Sequence, residues 1–305
     1  MRTVVALGGN ALLPPDGETA DDQWRRVRET ADRLAALRER GRSLVCTHGN
    51  GPQVGNRLLE QEHTDTPDFS LDVLGAETQA QIGYQLQQAL DDATDVTANA
   101  VTVVTQTRVD PDDPRMDEPS KPVGPRYTAE EAATKPFATT EVETESGETA
   151  YRRVVPSPKP IEILEADHIA ALVHEDTTVV CGGGGGVPVV EENGELRGVE
   201  AVVDKDYTSR LVAERTDADD LLFLTDVDYA YRNFGEPDEE PIEEATPDEL
   251  RDLLDAGEFG EGSMRPKIET CIEFVEGTGA HAIITTPENV ERALDGETGT
   301  HVHRG

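Results

Sequence analysis

Lysine is nearly missing from this chain: 305 residues contain five, against 22 arginines. Cysteine is scarce as well, with three residues, and aromatic side chains make up only 4%. Cys46, Cys181 and Cys271 lie far apart, the first two in strand-like and the third in a helix-like apolar pattern. That spacing argues against a disulfide framework and for reduced, buried thiols in a cytoplasmic protein. No run approaches the ~20 apolar residues of a membrane span. No basic segment followed by an apolar stretch opens the chain as a secretory signal would. No Cys/His cluster has zinc spacing, and no G-x-S-x-G elbow is present. Positive charge is lacking overall: 27 Lys and Arg face 63 Asp and Glu, for a net charge of −36. Nucleic acid and anionic membrane surfaces are excluded as partners, because both would be repelled. The acids are spread along the chain instead of forming a tail. Together with the shortage of lysine, this suggests a protein kept soluble in concentrated salt, where charge repulsion is screened over a few ångströms.

Apolar runs alternate with helical patterns. Residues 3–7 form a continuous apolar stretch ending at Gly8-Gly9. A helix is expected over 22–40, with Trp24, Val27, Ala31, Leu34 and Leu37 on one face and Gly41 as its stop. Residues 43–47 read as a second strand running into His48-Gly49-Asn50-Gly51. Helical stretches follow near 54–62 and 77–90, the latter with Thr78, Ile82, Leu86 and Leu90 at four-residue spacing. Further strands are expected at 101–105, 178–181, 221–225 and 282–285, with a helix over 263–275. Apolar strands separated by helices imply a mostly parallel sheet covered on both faces. Such a sheet binds its ligand beyond the carboxyl ends of the strands, where the glycine turns fall. Residues 110–160, rich in Pro, Thr and Glu, read as an excursion from the sheet, a small subdomain or lid.

Gly8-Gly9-Asn10 and Gly49-Asn50-Gly51 end two strands. Glycine allows a tight turn whose N–H groups can face an anion, and a following helix N-terminus adds positive potential. Either turn alone could be an ordinary loop, but the pair points to phosphate. Neither is a Walker A loop or a G-x-G-x-x-G fingerprint. The glycine run 182–186 is either a close approach to a ligand or a hinge. Three of the five lysines sit in compact strings: Ser120-Lys121-Pro122, Asp204-Lys205-Asp206 and Pro266-Lys267. An ammonium on a flexible stem can act as a point charge on phosphoryl oxygens, which a planar guanidinium does differently. Carboxylates beside Lys205 would orient it and keep it protonated. His48 reads as a turn-stabilising residue, and His301-Val302-His303 as an exposed terminus.

Taken together, these strings resemble the carbamate kinases, a branch of the amino acid kinase family. The matching stretches are Val4–Ala11, Thr47–Gly55, Lys121–Pro125, Arg152–Pro158, Gly183–Val189, Val203–Asp206, and Gly262-Ser263-Met264 with Pro266-Lys267, all in the family's order. The resemblance implies a three-layer αβα sandwich with an open, mainly parallel sheet of about eight strands. It also implies a protruding subdomain within about 110–160, a carbamate side in about 1–200 and a nucleotide side in about 201–305. It implies a homodimer and reversible phosphoryl transfer between ATP and carbamate, with Mg²⁺ carried on the nucleotide phosphates, usually in arginine catabolism. By the same likeness Lys121, Lys205, Asp206 and Lys267 would be catalytic. Gly8, Gly9, Asn10, Gly49, Asn50, Gly51, Gly184 and Gly185 would hold the phosphoryl and carbamate groups. Thr225, Asp226, Tyr231 and Met264 would face the nucleotide. Arg126, Arg265 and Asp226 depart from the family's pattern, which has an aromatic, a small or apolar residue, and glycine at those places.

Two other readings fit parts of the chain: an amino acid kinase acting on another carboxylate, such as an acetylglutamate kinase, and a non-catalytic nucleotide-binding regulator. The first would usually carry a lysine just before the first glycine pair, where Val5-Ala6-Leu7 stands. The second would have no need of the retained lysines. The charge pattern makes its own prediction. The thermal unfolding midpoint should rise as KCl is raised toward molar concentration, and full stability in dilute buffer would contradict the salt-adapted reading.

Overall fold

A computed structural model describes residues 1–12, 19–65, 67–94, 99–144, 147–260 and 263–305. Gly262 and the side chain of Asn10 lie outside the described part. The central sheet has eight strands: β1 (Arg2–Leu7), β2 (Ser43–His48), β3 (Ala100–Thr102), β4 (Thr178–Val180), β5 (Asp220–Leu224), β6 (Glu244–Ala245), β7 (His281–Thr285) and β8 (Thr300–Val302), in the spatial order β6-β8-β7-β5-β1-β2-β4-β3. The six strands from β7 to β3 are parallel; β8 runs antiparallel to β7, and β6 parallel to β8.

Alternation along each strand divides the apolar side chains between two cores. Val4, Ala6, Leu221 and Phe223 face one core, while Val5, Leu7, Leu222 and Leu224 face the other. The main helices are α1 (Ala20–Glu39), α2 (Gly51–Glu62), α3 (Leu71–Ala93), α4 (Ala166–His174), α5 (Lys205–Arg215), α6 (Pro247–Ala256) and α7 (Met264–Thr278). The first core is closed by α4 to α7, and the second by α1 and α3. Each fully buried Leu, Val or Phe in these layers contributes roughly 1.5–3 kcal/mol.

The boundaries differ from expectation for local reasons. α1 starts at Ala20 because Thr19 and Asp22 form a reciprocal capping box. α3 begins at Leu71, six residues early, since Leu71 and Leu74 are buried and continue the same apolar face. The strand expected over 101–105 is split: β3 ends at Thr102, and Gln106–Val109 joins a separate four-stranded sheet with Val187–Glu192, Glu195–Gly198 and Pro160–Ile163. Trp24 is half-buried, edge-on to Tyr84, instead of a core residue. The C-terminal histidines are not an exposed tail. They lie on and beside β8, with His301 stacked on His281 at 5.1 Å and donating from Nε2 to the Thr298 carbonyl at 2.9 Å.

Within 110–160 the strands Lys121–Tyr127, Thr149–Val155 and Thr139–Glu143 form a three-stranded antiparallel sheet. Val123 and Val155 from it pack on Val54, Leu71 and Leu74 of α2 and α3. This contact sets the small sheet over the carboxyl ends of the central strands. Among the described residues no helix is long and apolar enough to cross a membrane.

Candidate active site

Four parallel strands stop at one cleft of about 490 Å³. β1 ends at Gly8-Gly9, β2 at Gly49-Asn50-Gly51, β4 at the glycine run and β5 at Thr225-Asp226, and residues from all four turns line the cleft. Gly8 has no room for a side chain, since a Cβ there would meet the Leu224 carbonyl at 2.7 Å. Gly184 lies on the wall at φ +62°, where a Cβ would strike the Asn50 carboxamide at 2.3 Å. The glycine run is therefore packed against its neighbours, which supplies a third reason for it besides ligand approach or a hinge.

The start of α2 is left open to the cleft. Asn50 is its N-cap residue but makes no capping bond; its Nδ2 donates to Thr78 Oγ1 at 2.9 Å instead. The N–H groups of Gly51 and Gln53 thus remain available, Pro52 having none, with the positive end of the helix dipole behind them. Such an open helix start has the geometry that suits an anion.

Five charged side chains, Lys121, Asp204, Lys205, Asp206 and Lys267, extend the wall. α5 begins at Lys205, capped by Asp204, whose carboxylate accepts from the Asp206 amide at 3.0 Å. Lys205 lays its stem along Gly49 and donates to Asp206 Oδ1. Lys267, from the first turn of α7, donates to Asp206 Oδ2 at 3.1 Å and to the Ser263 carbonyl at 3.0 Å. Asp206 therefore holds two lysines from two helices. Its side chain is 3% exposed, and that of Lys267 only 5%. Lys121, on the small sheet, reaches across to Asp204 Oδ2 at 2.6 Å.

Burial works against both ammonium charges, and the carboxylates decide the outcome differently for each. Burial would lower the pKa of Lys205, but Asp206 and Asp204 outweigh it and hold the value above the usual one. At Lys267 burial wins; Asp206 offsets it in part, Lys205 adds repulsion, and the pKa falls below the usual value. Burial would also raise Asp204, yet Lys121 and Lys205 bring it down to about 2.

Gly8, Gly9, Gly49, Asn50, Gly51, Lys121, Gly184, Lys205, Asp206, Thr225, Asp226 and Lys267 come together on this cleft. Gly185, Tyr231 and Met264 do not line it. Gly185 is buried behind the wall, its carbonyl accepting from Thr107 and Thr208. Tyr231 lies on a hairpin strand with Tyr229 and Phe234 against its ring, and Met264 packs against the first core. The backbone of Asn10 sits in the turn after β1. Sequence reasoning passed over Asp204 as a site residue; the signal was present in the Asp-Lys-Asp string, whose first carboxylate fixes both the helix start and Lys121. His48 is buried beneath the turn, donating from Nδ1 to the Gly49 carbonyl at 2.8 Å.

The amino acid kinase family profile matches residues 1–286. The chain belongs to this family. It is 54% identical over 301 residues to a carbamate kinase of Halobacterium salinarum, covering 98% of this chain and 97% of that one. It is 45% identical to a carbamate kinase of Thermococcus kodakarensis, over 99% of both chains. Among solved structures it superposes on a Giardia lamblia carbamate kinase bound to AMP-PNP with a TM-score of 0.92 at 40% identity, covering 100% of this chain and 98% of that one.

His48 carries a pH signature. Burial pushes its pKa down to about 4, so the neutral ring is the folded form. The unfolded chain takes up the proton near pH 6.5. The stability due to neutral His48 is thus complete above pH 6.5 and is lost as the pH falls toward 4. Between pH 7.5 and 5 that loss is on the order of 2 kcal/mol. Urea unfolding of His48→Gln at the two pH values should show a decline smaller by about that amount; equal declines in both proteins would contradict the assignment.

Proposed function

We propose that this protein is a carbamate kinase, which transfers a phosphoryl group reversibly between ATP and carbamate. In one direction carbamoyl phosphate and ADP give ATP and carbamate, which falls to ammonia and CO₂. The observation that carries the reading is the pair of lysines from different helices, Lys205 and Lys267, bound to one carboxylate on the wall of a glycine-lined cleft. The full-length relatives named above support the choice of carbamate over other carboxylate acceptors.

The chemistry follows from the charges. Carbamate is already an anion, so its oxygen can attack the γ-phosphorus of ATP without a general base. The tasks left to the protein are alignment of two anions and neutralisation of their repulsion. Lys205 and Lys267 would lie on the oxygens of the migrating phosphoryl group, with Asp206 fixing their direction. The open start of α2 and the turns at Gly8-Gly9 and Gly49-Asn50-Gly51 would hold the carbamate or the phosphate of carbamoyl phosphate. Lys121 would reach the same group from the small sheet after leaving Asp204. On this reading residues up to about 200 form the carbamate side and those beyond it the nucleotide side, where Thr225 and Asp226 meet the cleft.

A divalent cation fits this donor set only in one way. Among the described residues no group of three or more His, Cys, Asp or Glu is placed to hold an ion, and Asp204 and Asp206 are committed to lysines. Mg²⁺ would therefore be carried by the nucleotide phosphates, with Asp226 the carboxylate left to face it. There it supplies neutralisation of the phosphate charge. Three buried free cysteines support a reducing, cytoplasmic setting. The family resemblance supports a homodimer serving arginine breakdown, and the charge composition supports a salt-rich cell.

The test is formation of ATP from ADP and carbamoyl phosphate, read by luciferase. The wild-type chain should turn over. Lys205→Ala and Lys267→Ala should each lose about 10²–10³ in kcat, equivalent to about 3–4 kcal/mol of barrier, with native circular dichroism. Near-normal turnover of either variant, or a wild type inactive with carbamoyl phosphate, would contradict the proposal.

A further inference from the structure

A second chamber adjoins the cleft. It has a volume of about 950 Å³ and shares Gly51 and Pro122 with the cleft wall. No carboxylate is among its described lining residues, although the chain has 63 acids to 27 bases. The two charged residues described on its wall are both arginines, Arg126 and Arg152, and the rest of its polar wall includes the amides of Gln23, Gln53, Asn56 and Gln81.

The two arginines are cross-strand neighbours. Tyr127 pairs with Tyr151 across the small sheet, so Arg126 and Arg152 each stand one residue from that pair on facing strands. Like charges in this arrangement repel and destabilise a sheet. Elsewhere the chain pairs most arginines with acids; the next residue, Arg153, is bound to Glu200. Among the described residues neither Arg126 nor Arg152 has an acidic partner. Arg152 donates from Nε to the Gly124 carbonyl at 3.0 Å, which fixes the plane of its guanidinium. Burial, then Arg126, press its pKa downward, yet a guanidinium stays protonated. The uncapped start of α2 borders the same space through Gly51, Pro52 and Gln53.

Two cations facing one chamber, that of Arg152 held by the Gly124 carbonyl, with amides beside them and no acid on its described wall, call for an anion. Planar forks set side by side suit the several oxygens of a tetrahedral phosphate. We propose that Arg126 and Arg152 form a binding site for a small phosphate-type oxyanion in the chamber beside the transfer cleft. Two sources share that chemistry: an acyl phosphate substrate on its way to the cleft, which rests on the function proposed above, and free phosphate acting as an effector.

The test uses the full chain saturated with AMP-PNP, so that the nucleotide side and the position of the transferred phosphoryl group are occupied, and titrates inorganic phosphate by calorimetry at fixed KCl. The wild type should still bind phosphate. Arg126→Gln and Arg152→Gln should weaken binding by about tenfold or more, with unfolding midpoints near wild type. Because Arg126 is exposed and holds no described structural contact, its variant keeps the test clear of misfolding. No phosphate binding by the nucleotide-filled wild type, or equal binding by wild type and Arg126→Gln, overturns the site. This arm needs no turnover, so it stands or falls apart from the catalytic reading. A second arm measures KM for carbamoyl phosphate in Arg126→Gln. A rise of about three- to tenfold at unchanged kcat assigns the site to the substrate's route. An unchanged KM alongside lost phosphate binding assigns it to free phosphate.

Discussion

Two ammonium groups held on a single buried carboxylate are the constraint around which this site is built. Lys205 and Lys267 come from two different helices, Lys267 lying 61 residues beyond Asp206, the carboxylate they have in common. Burying like charges side by side is unfavourable, and the shared carboxylate makes it tolerable. Removing one partner from such a buried set leaves an uncompensated charge, at about 3–5 kcal/mol. The arrangement therefore ties the start of α5 to the start of α7 and brings both lysines to the cleft wall.

The parallel sheet makes this geometry possible. Four adjacent strands end on the same edge, so four turns that are distant in sequence share one wall. Glycine serves there in two ways. At Gly8 and Gly184 it lets neighbouring segments approach more closely than a Cβ would allow, and at Gly49 it lies in contact with the stem of Lys205. The small antiparallel sheet then closes one side of the cleft and carries Lys121 to Asp204. Against a chain with a net charge of −36, these few cations are concentrated in one region.

Much of this was legible in the sequence, for a physical reason. Buried strands are continuous apolar runs, and the glycine turns that end them are chemically distinctive, so the sheet and its ligand edge could be read directly. The lysine strings pointed to the cleft because lysine is rare here. What escaped were features that depend on tertiary packing. α5 was not visible as a helix because its buried face is built from Thr208, Ser209, Val212 and Ala213, small and partly polar residues that give weak periodicity. The four-stranded sheet is assembled from segments near 106, 160, 187 and 195 whose pairing no local pattern announces. The capping role of Asp204, the inward-facing His48 and the incorporation of His301 into a strand all required neighbours distant in sequence.

The central claim, that Lys205 and Lys267 act as one unit through Asp206, is tested most directly by a double-mutant cycle on the single-turnover phosphoryl-transfer rate. The cycle comprises wild type, Asp206→Asn, Lys267→Met and the double variant, all checked for native fold. The account predicts strong coupling: the double variant should be little slower than the worse single variant, with an interaction energy of about 1–3 kcal/mol. Losses that add to within about 0.5 kcal/mol would mean that the two residues act independently, and would contradict it.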